Sequence, residues 1–303
     1  MDWKSKPLGN TFGIEIAGAD LREELDERGR AELRRLLDEH LLIVFRNQHL
    51  SDDEHVDLLA TFGRVSDERG DGVRHSFVSN VREGGLFGDW PLPFHQDYGT
   101  FQPTLASVIS LYGYELRGPS MPTTFASLIH GYRRLPAELR DQVARLTAVH
   151  SVDLTIDTGR VGFEKRARLL ESPEYPPEET HPRQTYPVVK PHPRTGAPML
   201  FLSEMHTSHI EGFDSARSEA LVQRLFAHLY DPAYLVAHEW AQGDLLIWDN
   251  VALQHGRRPV DLSAPVAQRT LRRIVICDKS TKEIFKNIRY NNSKGFTEAR
   301  KYS

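Results

Sequence analysis

Two histidines in this sequence are followed, two positions later, by an aspartate, a pattern that can offer an imidazole and a carboxylate to one metal ion. His55 and Asp57 fall in a segment with helical patterning, where residues two apart point to roughly opposite sides. His95 and Asp97 fall in an extended segment, where residues two apart share a face. The second pair is the better candidate for metal ligands, although an isolated pair of this kind is more often an ordinary surface contact.

A third ligand would have to come from elsewhere in the chain. Residues 243–255 read as a strand, Leu245 to Trp248, a turn at Asp249 and Asn250, and then the single histidine His255. Two imidazoles and one carboxylate, with coordination positions left open, form the facial triad of non-haem iron(II) oxygenases.

Downstream of His255, residues 268–277 alternate with a period of two, as in a strand. One face of that strand would carry Arg269, Leu271, Arg273, Val275 and Cys277. An arginine that points inward with apolar residues needs an anion, and its planar fork matches a carboxylate. A dicarboxylate cosubstrate on the iron would supply one such partner, and the alternative is that both arginines pair with Asp or Glu.

Taken together, these segments resemble the taurine dioxygenase family, which includes the aryloxyalkanoate dioxygenases. The resemblance covers nearly the whole chain and is carried by residues 12–21, 42–48, 62–64, 94–97, 240–255 and 269–276. It implies a double-stranded β-helix (jelly roll), with iron held by His95, Asp97 and His255 and with 2-oxoglutarate and O₂ as cosubstrates.

The same resemblance implies roles for three further residues. Arg269 would pair with the distal carboxylate of 2-oxoglutarate, and Thr123 would add a hydroxyl to the same molecule. Arg273 would meet the anionic group of the substrate or brace the cosubstrate. Thr123 follows Ser-Met-Pro where family members often have Gly-Gly-Asp, so Thr124 is a second candidate.

The activity expected from the resemblance is hydroxylation of a small, anionic organic substrate, with later cleavage or desaturation left open. Candidate substrate residues near the metal segment or after the strand at 199–202 are Asn80, Tyr98, Phe101, His206 and His209. The two histidines could equally be polar residues of a surface turn, and the two aromatic residues could be plain core.

The elements that must position these residues are mostly short strands with helices packed outside, which favours a mainly β jelly roll. Helices are predicted at 27–39, 51–62, 136–146 and 213–229, the second opened by a capping box of Ser51 and Glu54. We expect one domain over residues 1–303. The proline-rich stretch 155–198 matches the family poorly and is predicted to be an insertion or lid.

Composition restricts the partners. With 42 acidic and 38 basic residues in 303, the net charge of −4 argues against nucleic acid as the main partner. Cys277 is the single cysteine, which suits a reducing compartment, and apolar runs of about five residues are too short for a membrane span. A cytoplasmic enzyme that acts on a small molecule is expected, with a homo-oligomer left open.

Three other functions compete with the oxygenase. A zinc-dependent hydrolase or lyase could use His206, His209 and His255, because zinc favours neutral imidazoles. A jelly-roll protein that binds without turnover would be expected to have lost a ligand. A nucleic-acid demethylase could use the basic stretch 279–301, which is more often a solvated tail.

Overall fold

The structure is a computed structural model and describes residues 3–68, 71–83, 85–87, 92–98, 106–118, 121–151, 183–257 and 268–278. The helices are α1 (Glu27–His40), α2 (Asp52–Leu59), α3 (Leu128–Arg134), α4 (Ala137–Val143) and α5 (Ser215–Leu229), with 3-10 turns at Ala60–Phe62 and Pro232–Tyr234. The strands are β1 (Lys4–Pro7), β2 (Ile14–Ala17), β3 (Leu42–Phe45), β4 (Ser76–Ser79), β5 (Leu86–Phe87), β6 (Leu92–His95), β7 (Ala106–Arg117), β8 (Thr123–Ser127), β9 (Thr147–Ser151), β10 (Arg183–Pro187), β11 (Val189–Pro191), β12 (Pro198–Leu200), β13 (Thr207–Ile210), β14 (Val236–His238), β15 (Leu245–Asp249), β16 (Leu253–Arg257) and β17 (Gln268–Cys277).

Two sheets make up the body of the protein. The larger has eight strands in the order β1-β2-β3-β15-β7-β17-β4-β5, and the smaller has four in the order β14-β8-β16-β6. Pairing is antiparallel except for β2 with β3 and β4 with β5. A ring contact of 5.4 Å between Phe125 on β8 and Trp248 on β15 joins the two sheets across the core. The predicted mainly β jelly roll is confirmed.

The helices lie where their apolar faces predict. Helix α1 buries Leu33, Leu36 and Leu37, which belong to the same apolar cluster as Ile43 and Phe45 on the larger sheet. The predicted capping box is present at the start of α2, since Ser51 and Glu54 each accept from the other's backbone N–H. No helix in the described part of the chain is long and apolar enough to cross a membrane.

The segment predicted as an insertion is only partly described. Residues 183–187 form β10, which pairs with β9, and 189–191 form β11, which pairs with β12, so this end of the segment belongs to small sheets. Residues 152–182 lie outside the described residues.

Candidate active site

Neighbouring strands bring the three predicted metal ligands together. His95 ends β6 and His255 lies on β16, and the two residues are direct partners in the antiparallel register of these strands. Their ring centroids are 4.3 Å apart. Asp97, two residues beyond His95, completes a group whose ligand atoms all lie within 4.8 Å of one another. This spacing fits a single metal ion bound through two imidazoles and one carboxylate.

The competing pair on α2 has a structural role. His55 is fully buried, its Nε2 lies 2.8 Å from the Ser110 hydroxyl, and its Nδ1 accepts from Arg272 at 3.1 Å. Within the described ranges, His95, Asp97 and His255 are the only group of three or more His, Cys, Asp or Glu side chains that could hold a metal. The zinc alternative built on His206 and His209 therefore has no cluster in this part of the chain.

Hydrogen bonding presents His95 correctly for a metal. Its Nδ1 lies 2.7 Å from the carbonyl oxygen of Pro93. Because a carbonyl only accepts, the proton must sit on Nδ1, which leaves the Nε2 lone pair free. That Nε2 lies 3.3 Å from Oδ1 of Asp97. The Nδ1 of His255 is buried and has no hydrogen-bond partner among the described residues.

Asp97 is held from two sides. Its backbone N–H donates to Oδ1 of Asn250 at 3.2 Å, and Nδ2 of Asn250 donates to the carbonyl oxygens of Asp97 at 3.0 Å and Ala106 at 2.9 Å. Arg273 donates to Oδ2 of Asp97 at 2.8 Å, so the other carboxylate oxygen, Oδ1, faces His95. Sequence analysis placed Asn250 only in a turn, because nothing in the spacing shows that the turn lies against the metal segment.

The turn around Asn250 is itself anchored by a buried carboxylate. Oδ1 of Asp249 accepts from the backbone N–H groups of Val251 and Ala252 at 2.9 and 3.0 Å. Its Oδ2 pairs with Arg194 and lies 3.1 Å from Nε2 of His192. These contacts fix the turn that connects strand β15 to the ligand strand β16.

The protonation states suit metal binding. Burial opposes ionisation of Asp97, but the positive charge of Arg273 holds the pKa of this carboxyl well below its usual range. Burial, aided by the nearby His95, lowers the pKa of His255 to about 3. At neutral pH the carboxyl is ionised and the His255 imidazole is neutral, which are the forms that bind metals.

Strand β17 divides its side chains as the alternation predicts. Leu271, Val275 and Cys277 belong to one apolar cluster, and Ile274 and Ile276 to the other. The pocket that contains the three candidate ligands is lined by Val78, Leu92, His95, Asp97, Leu111, Thr123, Trp248, His255, Gly256, Arg257, Arg269, Leu271 and Arg273. Arg272, on the opposite face, donates to the carbonyl of Leu50 at 3.0 Å.

The residues assigned to the cosubstrate all line this pocket. Arg269 is buried, and its Nη1 donates to the carbonyl of Met121 at 3.2 Å. The hydroxyl of Thr123 accepts from Nε1 of Trp240 at 3.0 Å. Arg273 forms ion pairs with Glu68 and Asp97, so for this arginine the alternative that it pairs with acidic side chains of the protein is observed. Its contact with a cosubstrate or substrate stays a prediction.

The five residues predicted to contact the substrate do not form one group in the structure. The ring of His206 lies edge-on, 6.4 Å from that of His95, whereas His209 is half-buried on β13 and its Nδ1 lies 3.1 Å from the Ser208 hydroxyl. Asn80 accepts from the backbone N–H of Arg269 at 2.8 Å, so it holds a strand in register. Tyr98, with a φ of 61°, donates its hydroxyl to Glu68 at 2.6 Å. Phe101 lies outside the described residues.

Sequence analysis missed two residues of the site besides Asn250. Glu68 reaches Arg273 from a segment 29 positions before Asp97. Trp248 was assigned to a strand, but its ring also lies 5.1 Å from that of His255 and lines the pocket. All five residues of β15 are buried, so no alternation marks the face of Trp248 that meets the pocket, and no local signal marks Glu68.

The comparisons with known proteins agree on one family. The family model described as "Taurine catabolism dioxygenase TauD, TfdA family" matches residues 4–275. An (S)-phenoxypropionate/alpha-ketoglutarate-dioxygenase of Sphingobium herbicidovorans is 30% identical over 271 residues, which cover 85% of this chain and 90% of that protein. Pentalenolactone F synthase of Streptomyces avermitilis is 28% identical over 292 residues, which cover 88% and 91%. A solved taurine dioxygenase from Burkholderia xenovorans matches with a TM-score of 0.70 at 26% identity over 91% of both chains.

Proposed function

The chain belongs to the taurine catabolism dioxygenase (TauD, TfdA) family, and we propose that His95, Asp97 and His255 are the residues that hold its iron. It is an Fe(II)- and 2-oxoglutarate-dependent dioxygenase with O₂ as the second cosubstrate. The observation that carries the residue assignment is the convergence of the three ligand atoms within 4.8 Å. The donor set also fits, because one carboxylate and two imidazoles suit ferrous iron and leave positions open.

We assign Arg269 to the distal carboxylate of 2-oxoglutarate and Thr123 to a hydrogen bond with the same molecule. Both line the pocket that contains the three metal ligands, and Arg269 is buried. A buried guanidinium matches a carboxylate bidentately, and its burial strengthens the pairing. Thr123 is already held by Trp240 through its hydroxyl oxygen, so the hydroxyl proton is free to be donated.

His95, Asp97 and His255 would hold the iron, which would supply the activation of O₂ that couples decarboxylation of 2-oxoglutarate to oxidation of the substrate. The chain's own residues prepare that chemistry. Asn250 and Arg273 fix the carboxylate of Asp97, and the carbonyl of Pro93 fixes the tautomer of His95. Trp248 and Leu271 line the pocket with apolar surface that limits access of water.

The primary substrate is proposed to be a small organic molecule with an anionic group, which the enzyme hydroxylates. Phenoxypropionate, in the name of one relative, has such a group, and Arg273 lines the pocket beside Asp97. Hydroxylation next to a heteroatom would give a product that collapses with cleavage. A cytoplasmic location and assembly into a homo-oligomer stay predictions.

Activity is tested by succinate release from 2-oxoglutarate in the presence of Fe(II) and O₂. A panel of carboxylates and sulfonates is screened for compounds that stimulate the release, and oxidised products are identified by mass spectrometry. We expect stimulated release that disappears in His255→Ala and Asp97→Ala. Undiminished release in either variant would contradict the assignment of the ligands.

A further inference from the structure

Glu68 places a carboxylate against Arg273, a residue that lines the candidate active-site pocket. Its Oε2 accepts from Arg273 and, at 3.2 Å, from the hydroxyl of Ser76, and its Oε1 accepts from the hydroxyl of Tyr98 at 2.6 Å. Its side chain is only 15% exposed. A carboxylate with three donors and this degree of enclosure is held in place much more firmly than a partner in a surface ion pair.

Arg273 is consequently shared by two carboxylates. One end of its guanidinium pairs with Glu68, and the other donates to Oδ2 of Asp97 at 2.8 Å. Its side chain is 7% exposed and lines the pocket that contains His95 and His255. Since one positive charge already faces two negative ones, an anion that approaches Arg273 must displace Glu68 or lie beside a like charge.

We propose that Glu68 is a specificity-determining residue that competes with the anionic group of the substrate for Arg273. Asp97 cannot be the competitor, because its other oxygen is a candidate metal ligand. Glu68 therefore sets how strongly this end of the pocket accepts acids relative to neutral molecules of the same shape. The inference rests on the proposed function, in which Arg273 faces the primary substrate.

The test compares the binding of one acid and one neutral molecule. Equilibrium dialysis measures the dissociation constants of phenoxyacetate and phenoxyacetamide for the protein loaded with Fe(II) and 2-oxoglutarate without O₂. Glu68→Gln removes the charge and keeps an oxygen that accepts from Tyr98. We expect this variant to bind phenoxyacetate at least about tenfold more tightly, equivalent to about 1.4 kcal/mol. Binding of phenoxyacetamide should change less than about twofold, because this probe carries no charge that Glu68 could repel.

Two further variants make the result specific. The double variant Glu68→Gln with Arg273→Gln replaces both partners by neutral groups and should lose the gain for phenoxyacetate. Glu32→Gln, at a partly exposed position of α1 where the carboxylate pairs with Arg35, is the matched control and should bind both probes like the wild type. The proposal is wrong if Glu68→Gln binds the acid no more tightly, if the amide gains equally, or if the double variant keeps the gain.

The dialysis result is independent of turnover, so it separates this inference from the oxygenase assignment. The absorbance that appears when 2-oxoglutarate joins ferrous iron is recorded on the same samples. Missing absorbance with a gain for the acid would remove the assigned iron site and keep the role of Glu68. Normal absorbance without a gain for the acid would keep the assigned iron site and refute the role of Glu68.

Discussion

Replacing Asn250 by alanine tests how the protein holds its metal-binding carboxylate. Asn250 is 1% exposed and makes three side-chain hydrogen bonds, two of them with the backbone of Asp97 and one with the carbonyl of Ala106. The substitution removes all three and leaves one N–H group and two carbonyl oxygens to find other partners. The substitution leaves the side chains of the three proposed iron ligands unchanged, so any change in metal binding reports on the position of Asp97.

The size of the effect follows from these contacts. A net value of about 1 kcal/mol for each buried hydrogen bond gives a loss of about 3 kcal/mol in the free energy of unfolding. Loss of groups that support metal ligands commonly weakens metal binding by about 10- to 100-fold. We therefore expect Asn250→Ala to fold, to be less stable by about 2–4 kcal/mol, and to bind iron at least about tenfold more weakly.

Urea denaturation of the metal-free protein gives the first quantity, and anaerobic titration with Fe(II) gives the second. Asn10→Ala, at an exposed position, is the control and should change stability by less than about 0.5 kcal/mol. A variant at position 250 that is less stable yet binds iron like the wild type would show that the turn supports the fold without positioning Asp97.

Further predictions concern the cosubstrate and the effect of pH. Arg269→Ala should raise the 2-oxoglutarate concentration needed for half-maximal succinate release by at least about tenfold, with Arg269→Lys intermediate, because a point charge replaces a bidentate fork; an unchanged requirement would remove Arg269 from this role. Burial, aided by Lys190, lowers the pKa of His150 to about 3, so the unfolded state takes up a proton first as pH falls below about 6.5. The free energy of unfolding of the metal-free protein should therefore fall between pH 7.5 and 5.5, with about 1 kcal/mol of the loss due to His150. In urea denaturation, the free energy of unfolding of His150→Gln should depend less steeply on pH. Equal slopes for the two proteins would show that His150 does not stay neutral in the fold.

The sequence predicted those features that depend on local periodicity. The two-residue alternation of residues 268–277 predicted the division of β17 into two faces, and His55 and His95 lie on a helix and on a strand, respectively, as predicted. Element ends were less accurate. The helix predicted at 136–146 spans Ala137–Val143.

Contacts between distant segments could not be predicted in this way. Asn250 meets Asp97 across 153 positions of sequence, and Glu68 meets Arg273 across 205. Both contacts depend on which strands pair and how the connecting turns are directed, and neither carries a local pattern. His206 and His209 looked equivalent in sequence, but only His206 lies near His95, because His209 belongs to β13.

The most direct test of the account is iron stoichiometry in the presence of 2-oxoglutarate. Anaerobic titration of the wild type should give one ferrous ion per chain and the visible absorbance of an iron–2-oxo acid complex. His255→Ala should lose both, while its circular dichroism stays that of the folded protein. A folded His255→Ala variant that binds iron and develops the absorbance like the wild type would contradict the shared metal site of His95, Asp97 and His255.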